Sequence, residues 1–507
     1  MNASQNPGNA IQPQAAPGKI KIPGLRNLCK IVLALLCALV FHSLDFGTAL
    51  TPQGHGILST LLFMVLIWVT EAVSYSVSSF FLIVSMTLFT AFAVDPSTGQ
   101  MSGTGKALGM SLNGFKSGAW ILVVAALFLA AAIQKSGLGQ RIGLLILSRM
   151  GARPRQVRLG ILLMCFVLTL FIPAQAANAA LMTAVCVGLI DVFKIRREDN
   201  LAKGMLLIVA FGTGLAGMGV LTSGAPPIQT AAFIAQATGH QISWLEWLSY
   251  GLPFALVMGL VLLGLVELFF PVGKAEIRSG RETIRQELAR LGPLSVRERN
   301  LLIIMCCTIL LWATGKKLHP LDSSTVALCA VCAMFLPGVA VSTWKEMVNV
   351  VNWGTLMLFG AAISLGQALL SSGAAAWVAQ NTLARLGMGA WPPLLIIGVA
   401  ALFFGVFALA FSARSAAVAA LVPTVIGFAQ ALPESAGLSV WGLSMILYYT
   451  IQFSLLLPVN TPMSMVAYST NTFSAREMAR VGVPLCLIAI LVMILFSATY
   501  WRWVGVL

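Results

Sequence analysis

The chain has 507 residues, of which 58% are hydrophobic and 9% charged, whereas soluble domains carry about 25% charged residues. Continuous apolar stretches, many near the ~20 residues a membrane span needs, recur along it; this excludes a soluble globular protein, and the lack of alternation argues against an outer-membrane barrel. The formal net charge of +15 is concentrated in short connecting segments, where it reads as the cytoplasmic bias of membrane loops and not as a nucleic-acid footprint.

Residues 1–28 read as a disordered cytoplasmic tail rich in Asn, Gln, Pro and Gly at its start. A first membrane half spans 29–271, with apolar segments near 29–49, 56–73, 75–94, 119–134, 156–172, 176–193, 204–222 and 248–271. Segment 272–298 is charged with both signs and has helical amphipathicity, which predicts a cytoplasmic linker. A second half, 299–507, repeats the apolar pattern. Stretches 95–118 and 340–353 are weakly polar and predict surface helices ahead of each half's broken region. The expected fold is an all-α polytopic membrane protein of the cell inner membrane, built from two inverted structural repeats with re-entrant hairpins and broken helices.

The break points recur at a fixed spacing. Ser136-Gly137 and Ser372-Gly373 each follow an apolar run, 236 residues apart. Pro226 in Gly224-Ala225-Pro226 and Pro462 in Asn460-Thr461-Pro462 lie at the same interval. Pro and Gly free backbone N–H and C=O groups, and such backbone survives at membrane depth only where it lines a cavity. The expected broken helices lie near 222–229 and 458–464, and each exposes a helix N-terminus, which favours anions.

Two further sites are unusual in apolar surroundings. Residues 173–180 contain Pro173, Gln175 and Asn178, read as a hairpin tip facing a substrate; the plainer reading is a kink with interhelical amide bonds. Adding the 236-residue interval to Asn178 gives Arg414, a lone charge between Arg385 and Glu434, in a second hairpin near 409–416. An intramembrane charge is expensive and usually functional, and the guanidinium fork matches a carboxylate, sulfonate or phosphate. Snorkelling or pairing with an acid is its alternative. Gly212, Gly214 and Gly217 spell a GxGxxG run but lack a βαβ context, so close helix packing is expected. The Cys329–Cys332 pair reads as two small residues in an apolar helix, not a metal site. No His, Asp and Glu spacing suggests an enzyme.

In order along the chain, Trp68-Val-Thr-Glu-Ala, Gly137-Leu-Gly-Gln-Arg-Ile, Gly224-Ala-Pro-Pro, Asn460-Thr-Pro and the segment 474–484 resemble the divalent anion/sodium symporters, which include di- and tricarboxylate transporters. The likeness covers most of 56–505. It implies a small anionic substrate, a lipid-embedded homodimer, no cofactor other than Na+, and an elevator-type motion of a transport domain against a scaffold. The family carries a Ser-Asn-Thr motif at each hairpin tip, whose hydroxyls help hold sodium and whose Asn side chains help hold the substrate. At the expected register this chain has Ala177-Asn178-Ala179 and Ala413-Arg414-Ser415. Pro173 and Leu409 stand where a further hydroxyl is usual, and Ala225 replaces the Thr that position 461 keeps.

The resulting expectation is a secondary transporter of small organic anions that dispenses with sodium, because a fixed guanidinium repels Na+ and supplies it no oxygen. The substrate-binding set is Asn178, Arg414, Ser415, Gly224, Ala225, Pro226, Thr461 and Pro462, with no metal ligands. A sodium-coupled symporter of the same family and an anion channel are the alternatives. Glu71 reads as a structural or gating partner, with proton coupling as its alternative.

Overall fold

A computed structural model describes residues 24–47, 50–94, 99–151, 153–273, 280–339, 341–382, 387–453, 456 and 458–507. The tail reading for 1–28 falls almost entirely outside them, as do parts of the expected surface segments and linker. The described residues form helices and no β-strand. In chain order the first half contains α1 (Leu25–Ser43), α2 (Pro52–Thr70), α3 (Tyr75–Ala91), α4 (Gly103–Ser111), α5 (Gly118–Ser136), α6 (Leu138–Met150), α7 (Pro154–Phe171), α8 (Gln175–Val192), α9 (Asn200–Met218), α10 (Ala225–Thr238) and α11 (Trp244–Phe269). A linker helix α12 (Gly280–Arg290) follows. The second half contains α13 (Val296–Thr314), α14 (Ser323–Phe335), α15 (Trp344–Val348), α16 (Trp353–Ser371), α17 (Ala374–Asn381), α18 (Pro393–Ala408), α19 (Arg414–Ala431), α20 (Val440–Gln452), α21 (Pro462–Tyr468), α22 (Ala475–Ala498) and α23 (Tyr500–Trp503).

Ten helices among the described residues are long and apolar enough to cross a membrane. Their burial differs sharply. Eighty-nine per cent of α9 and 72% of α19 is buried, against 11% of α1 and 33% of the span that includes α22. The first two therefore form the protein's interior, and the last two present apolar surface to lipid. Because lipid is as apolar as the helices, burial of hydrocarbon does not drive their association; close contact and internal hydrogen bonds do. Gly366 of α16 shows the contact term: a Cβ there would lie 2.1 Å from the ring of Phe233 on α10.

The paired breaks are present. Gly137 separates α5 from α6 at φ 81°, and Gly373 separates α16 from α17 at φ 75°; both angles favour glycine. Trp120 and Leu356, also 236 apart, touch directly through Trp120 Nε1 donating to the Leu356 carbonyl at 3.1 Å. Helix α9 stops at Met218, a 3₁₀ turn covers Leu221–Ser223, and α10 restarts at Ala225. Helix α20 stops at Gln452, and a 3₁₀ turn at Pro458–Asn460 precedes α21.

The hairpin tips do not keep the 236 register. Helix α8 starts at Gln175 and α19 at Arg414, with Ala174 and Ala413 as their N-caps. The structural equivalent of Arg414 is thus Gln175, 239 residues away, and not Asn178. The cause is the preceding connection, from Met150 to Pro154 in the first half but from Asn381 to Pro393 in the second, only partly offset by the shorter α17.

The linker is clamped to the first half. Arg141 of α6 donates to Glu298 Oε1 at 2.8 Å, to the Gly292 carbonyl at 2.9 Å and to the Leu291 carbonyl at 3.1 Å. Ile284 is the buried apolar residue of α12. The expected surface segments contain the short helices α4 and α15.

Candidate functional site

One cavity of about 420 Å³ is bordered by both hairpin tips and both restarted helices. That volume lies in the range of small-molecule sites. Its lining includes Gln175, Gly224, Ala225, Pro226, Arg414, Ser415 and Pro462. Helix α5 supplies one face, with Ala126, Leu127, Ala130 and Ala131 among the lining residues. Arg414 is the one charged side chain among the described lining residues.

Six of the eight residues expected from the sequence border this cavity. Thr461 stands beside it and is occupied: its Oγ1 accepts from Ser464 N at 3.1 Å and donates to Ser464 Oγ at 2.8 Å, capping α21. Asn178 is displaced from the expected place. It sits one turn into α8, is 1% exposed, and donates to Thr169 Oγ1 at 3.0 Å without lining the cavity. Gln175, which the register passed over, takes the tip. The available signal was the sequence pair Pro173-Ala-Gln175 and Ser412-Ala-Arg414: in both, a long polar side chain follows an alanine two residues after the turn begins.

Arg414 does not snorkel. It is 5% exposed, and Nη1 donates to Gln452 Oε1 at 2.5 Å. A guanidinium only donates, which fixes the orientation of that amide. Nε and Nη2 have no hydrogen-bond partner among the described residues. A Cβ at Gly214 of α9 would lie 3.8 Å from Nη2, an ordinary contact. The guanidinium therefore lies between α9 and the last residue of α20. Gln175 makes a parallel arrangement. Its Nε2 reaches Ser223 Oγ at 3.4 Å, and Ser223 Oγ donates to the Gly217 carbonyl at 2.6 Å. A Cβ at Gly217 would be 1.9 Å from Gln175 Nε2. Each tip thus sends a donor toward the C-terminal end of a broken helix, Gln175 by way of Ser223 to Gly217 and Arg414 to the Gln452 side chain, where the helix dipole places partial negative charge. The GxGxxG glycines serve packing: Gly212 meets Cys165 and Leu162 of α7, while Gly214 and Gly217 make room beside the two donors.

Three helices begin at the cavity without a side-chain cap: α8 at Ala174, α10 at Gly224 and α19 at Ala413. A Ser in place of an N-cap Ala is worth about 0.5–2 kcal/mol, so these tips forgo local stability and leave N–H groups unbonded by side chains. Pro226 lies in the first turn of α10, where a missing N–H costs nothing. Beside the second tip, Ser412 donates to Glu71, and Tyr75 OH lies 2.7 Å from Ser412 Oγ. Glu71 turns the chain between α2 and α3 at φ 49°. It is tied structurally to the hairpin.

The described residues contain no group of three or more His, Cys, Asp or Glu side chains placed to hold a metal. A hard cation such as Na+ needs several oxygen ligands. At both tips a nitrogen faces the broken helix, Arg414 Nη1 toward Gln452 and Gln175 Nε2 toward Ser223.

Comparison with known proteins decides the family. The sodium:sulfate symporter transmembrane region matches residues 25–507. The chain belongs to this family. A Cupriavidus necator relative, described as a membrane protein, is 37% identical over 93% of this chain and 92% of its own length. A Staphylococcus aureus relative, the sodium-dependent dicarboxylate transporter SdcS, is 24% identical over 92% of this chain and 88% of its own. The solved structure of the Alcanivorax borkumensis YdaH transporter superposes with a TM-score of 0.52, at 14% identity, over 86% of this chain and 99% of that one; it supports the fold alone. This member of the sodium:sulfate symporter family is accordingly a multi-pass membrane anion transporter and not an enzyme, and its bacterial relatives agree with an inner-membrane location.

Proposed function

We propose that this chain is a secondary transporter of small organic anions, and that Arg414 does the work a coupling cation does in sodium-dependent relatives. The observation that carries this reading is the cavity where both tips and both restarted helices meet around one buried cation. Uncapped helix ends beside a cavity-lining guanidinium are a fitting receptor for a carboxylate. The dicarboxylate named for the S. aureus relative supports the organic-anion class. In this reading Gln175 and Arg414 supply, at the two tips, the compensation a coupling cation would supply.

Within the same reading the halves 29–271 and 299–507 are inverted repeats joined by the linker 272–298. The hairpins and broken helices form a transport domain that moves in an elevator-like way against a scaffold, and the chain works as a homodimer. A sodium-coupled symporter is the second reading, favoured by the names of the family and of the S. aureus relative. Counterflow of labelled anion into proteoliposomes decides among them. Saturable counterflow excludes a channel. Uptake unchanged when choline replaces Na+ supports the proposal, and its collapse there supports the symporter. Arg414→Ala should abolish counterflow and ligand-dependent thermal stabilisation while the protein stays folded.

A further inference from the structure

The cavity is not uniformly polar, and the distribution of its polar groups narrows the substrate. Its mouth is marked by exposed polar residues, Ser76, Gln134 and Asn352. One wall of its buried part is apolar: Ala126 and Ala130 are each 2% exposed, Ala131 4% and Leu358 5%. These α5 positions follow the i, i+4, i+5 spacing of one helix face. At that depth the charged side chain is Arg414 alone. A buried carboxylate is strongly disfavoured without a partner; a compact di- or tricarboxylate finds one cation for its first charge, and for the next only neutral polar groups such as Gln175 and Ser415 beside the alanines and Leu358. An apolar body finds a complementary surface there.

Resting on the organic-anion reading above, we infer that this site selects a singly charged organic acid, carboxylate or sulfonate, whose apolar body packs on the α5 face at Ala126, Leu127, Ala130 and Ala131. The head group sits at Arg414 and the uncapped starts of α8 and α19. The α5 face is then a specificity wall, distinct from the groups that hold the charge.

The test is ligand-induced thermal stabilisation of the purified full chain by phenylacetate, benzenesulfonate, propionate, succinate and citrate. Phenylacetate and benzenesulfonate should bind at least about tenfold more tightly than succinate or citrate. Ala130→Phe should fill the wall, weakening phenylacetate at least about tenfold and leaving propionate within about twofold. Ala131→Ile, a smaller intrusion, should shift the same ratio in the same direction if A130F does not fold. Succinate or citrate binding as tightly as phenylacetate, and through Arg414, overturns the single-charge inference and leaves the anion site standing. Absence of Arg414-dependent binding by any of the five acids overturns both.

Discussion

At the tip of each hairpin the first residue of the helix carries a long polar side chain that borders the cavity. Gln175 and Arg414 hold the same structural position, and both reach across to the end of a broken helix. Asn178 is buried and points to Thr169 instead. Two substitutions of similar chemistry, one turn apart, should therefore behave differently. Gln175→Ala should weaken anion binding by about tenfold or more, the scale of a lost hydrogen bond to a charged group. It should lower melting of the free protein by less than Asn178→Ala does, because its bond to Ser223 is long, at 3.4 Å. Asn178→Ala should leave affinity within about twofold but lower thermal stability by about 1 kcal/mol or more, through loss of a buried bond. Titration and melting of the two variants side by side check this, and the reverse pattern would return the tip role to Asn178.

The elements around the site were partly legible in the chain. Gly137 and Gly373, with the two Pro-containing restarts, announce themselves because glycine at positive φ and proline in a first turn are chemical requirements of those breaks. The tips were legible as odd polar residues, but their pairing was not. The 236 interval fails between Asn381 and Pro393, where the longer connection adds residues, and is nearly recovered later because α20 is shorter than α9. Loop length carries no periodic signal, so counting alone put Asn178 where Gln175 belongs. The bond between Ser412 and Glu71 was equally invisible, since it joins residues 341 apart. It ties the corner between α2 and α3 to the second tip, and any motion of that hairpin relative to the corner must break it. A net hydrogen bond is worth about 1 kcal/mol, a factor of about five in an equilibrium between two arrangements. Ser412→Ala should therefore change the counterflow rate by about that factor and leave anion affinity in detergent unaltered. A changed affinity with an unchanged rate would make the contact part of the binding site.

Across the whole molecule, the two halves pack directly on one another, α9 against α21 and α11 against α22. Lys203 pairs with Glu477 across them at 2.6 Å, and the linker between them is pinned by Arg141. Arg141 gathers three successive linker carbonyls and Glu298, which also closes a capping box with Ser295 at the start of α13. Burial pushes the Glu298 carboxyl up, but the Arg141 bond and the Ser295 cap outweigh it and hold the group below the usual carboxylate range. A carboxyl depressed in the folded state contributes stability above its unfolded pKa of about 4.3 and loses it as pH falls through the lower folded value. The Arg141 and Glu298 side chains are 16% and 7% exposed, so the pair is screened less than a surface bridge and its loss costs about 1–3 kcal/mol. Glu298→Gln should accordingly melt earlier than the parent at neutral pH, by a margin that stays constant down to about pH 5 and narrows as the parent's own carboxyl is protonated below about pH 4. Arg141→Gln, which also loses the three carbonyl bonds, should lose at least as much at neutral pH, and its margin should narrow in acid without closing. The two losses should not add in the double variant, because each removes the same clamp; full additivity would mean that Arg141 holds the linker through its backbone carbonyls alone and that Glu298 serves only as the cap of α13.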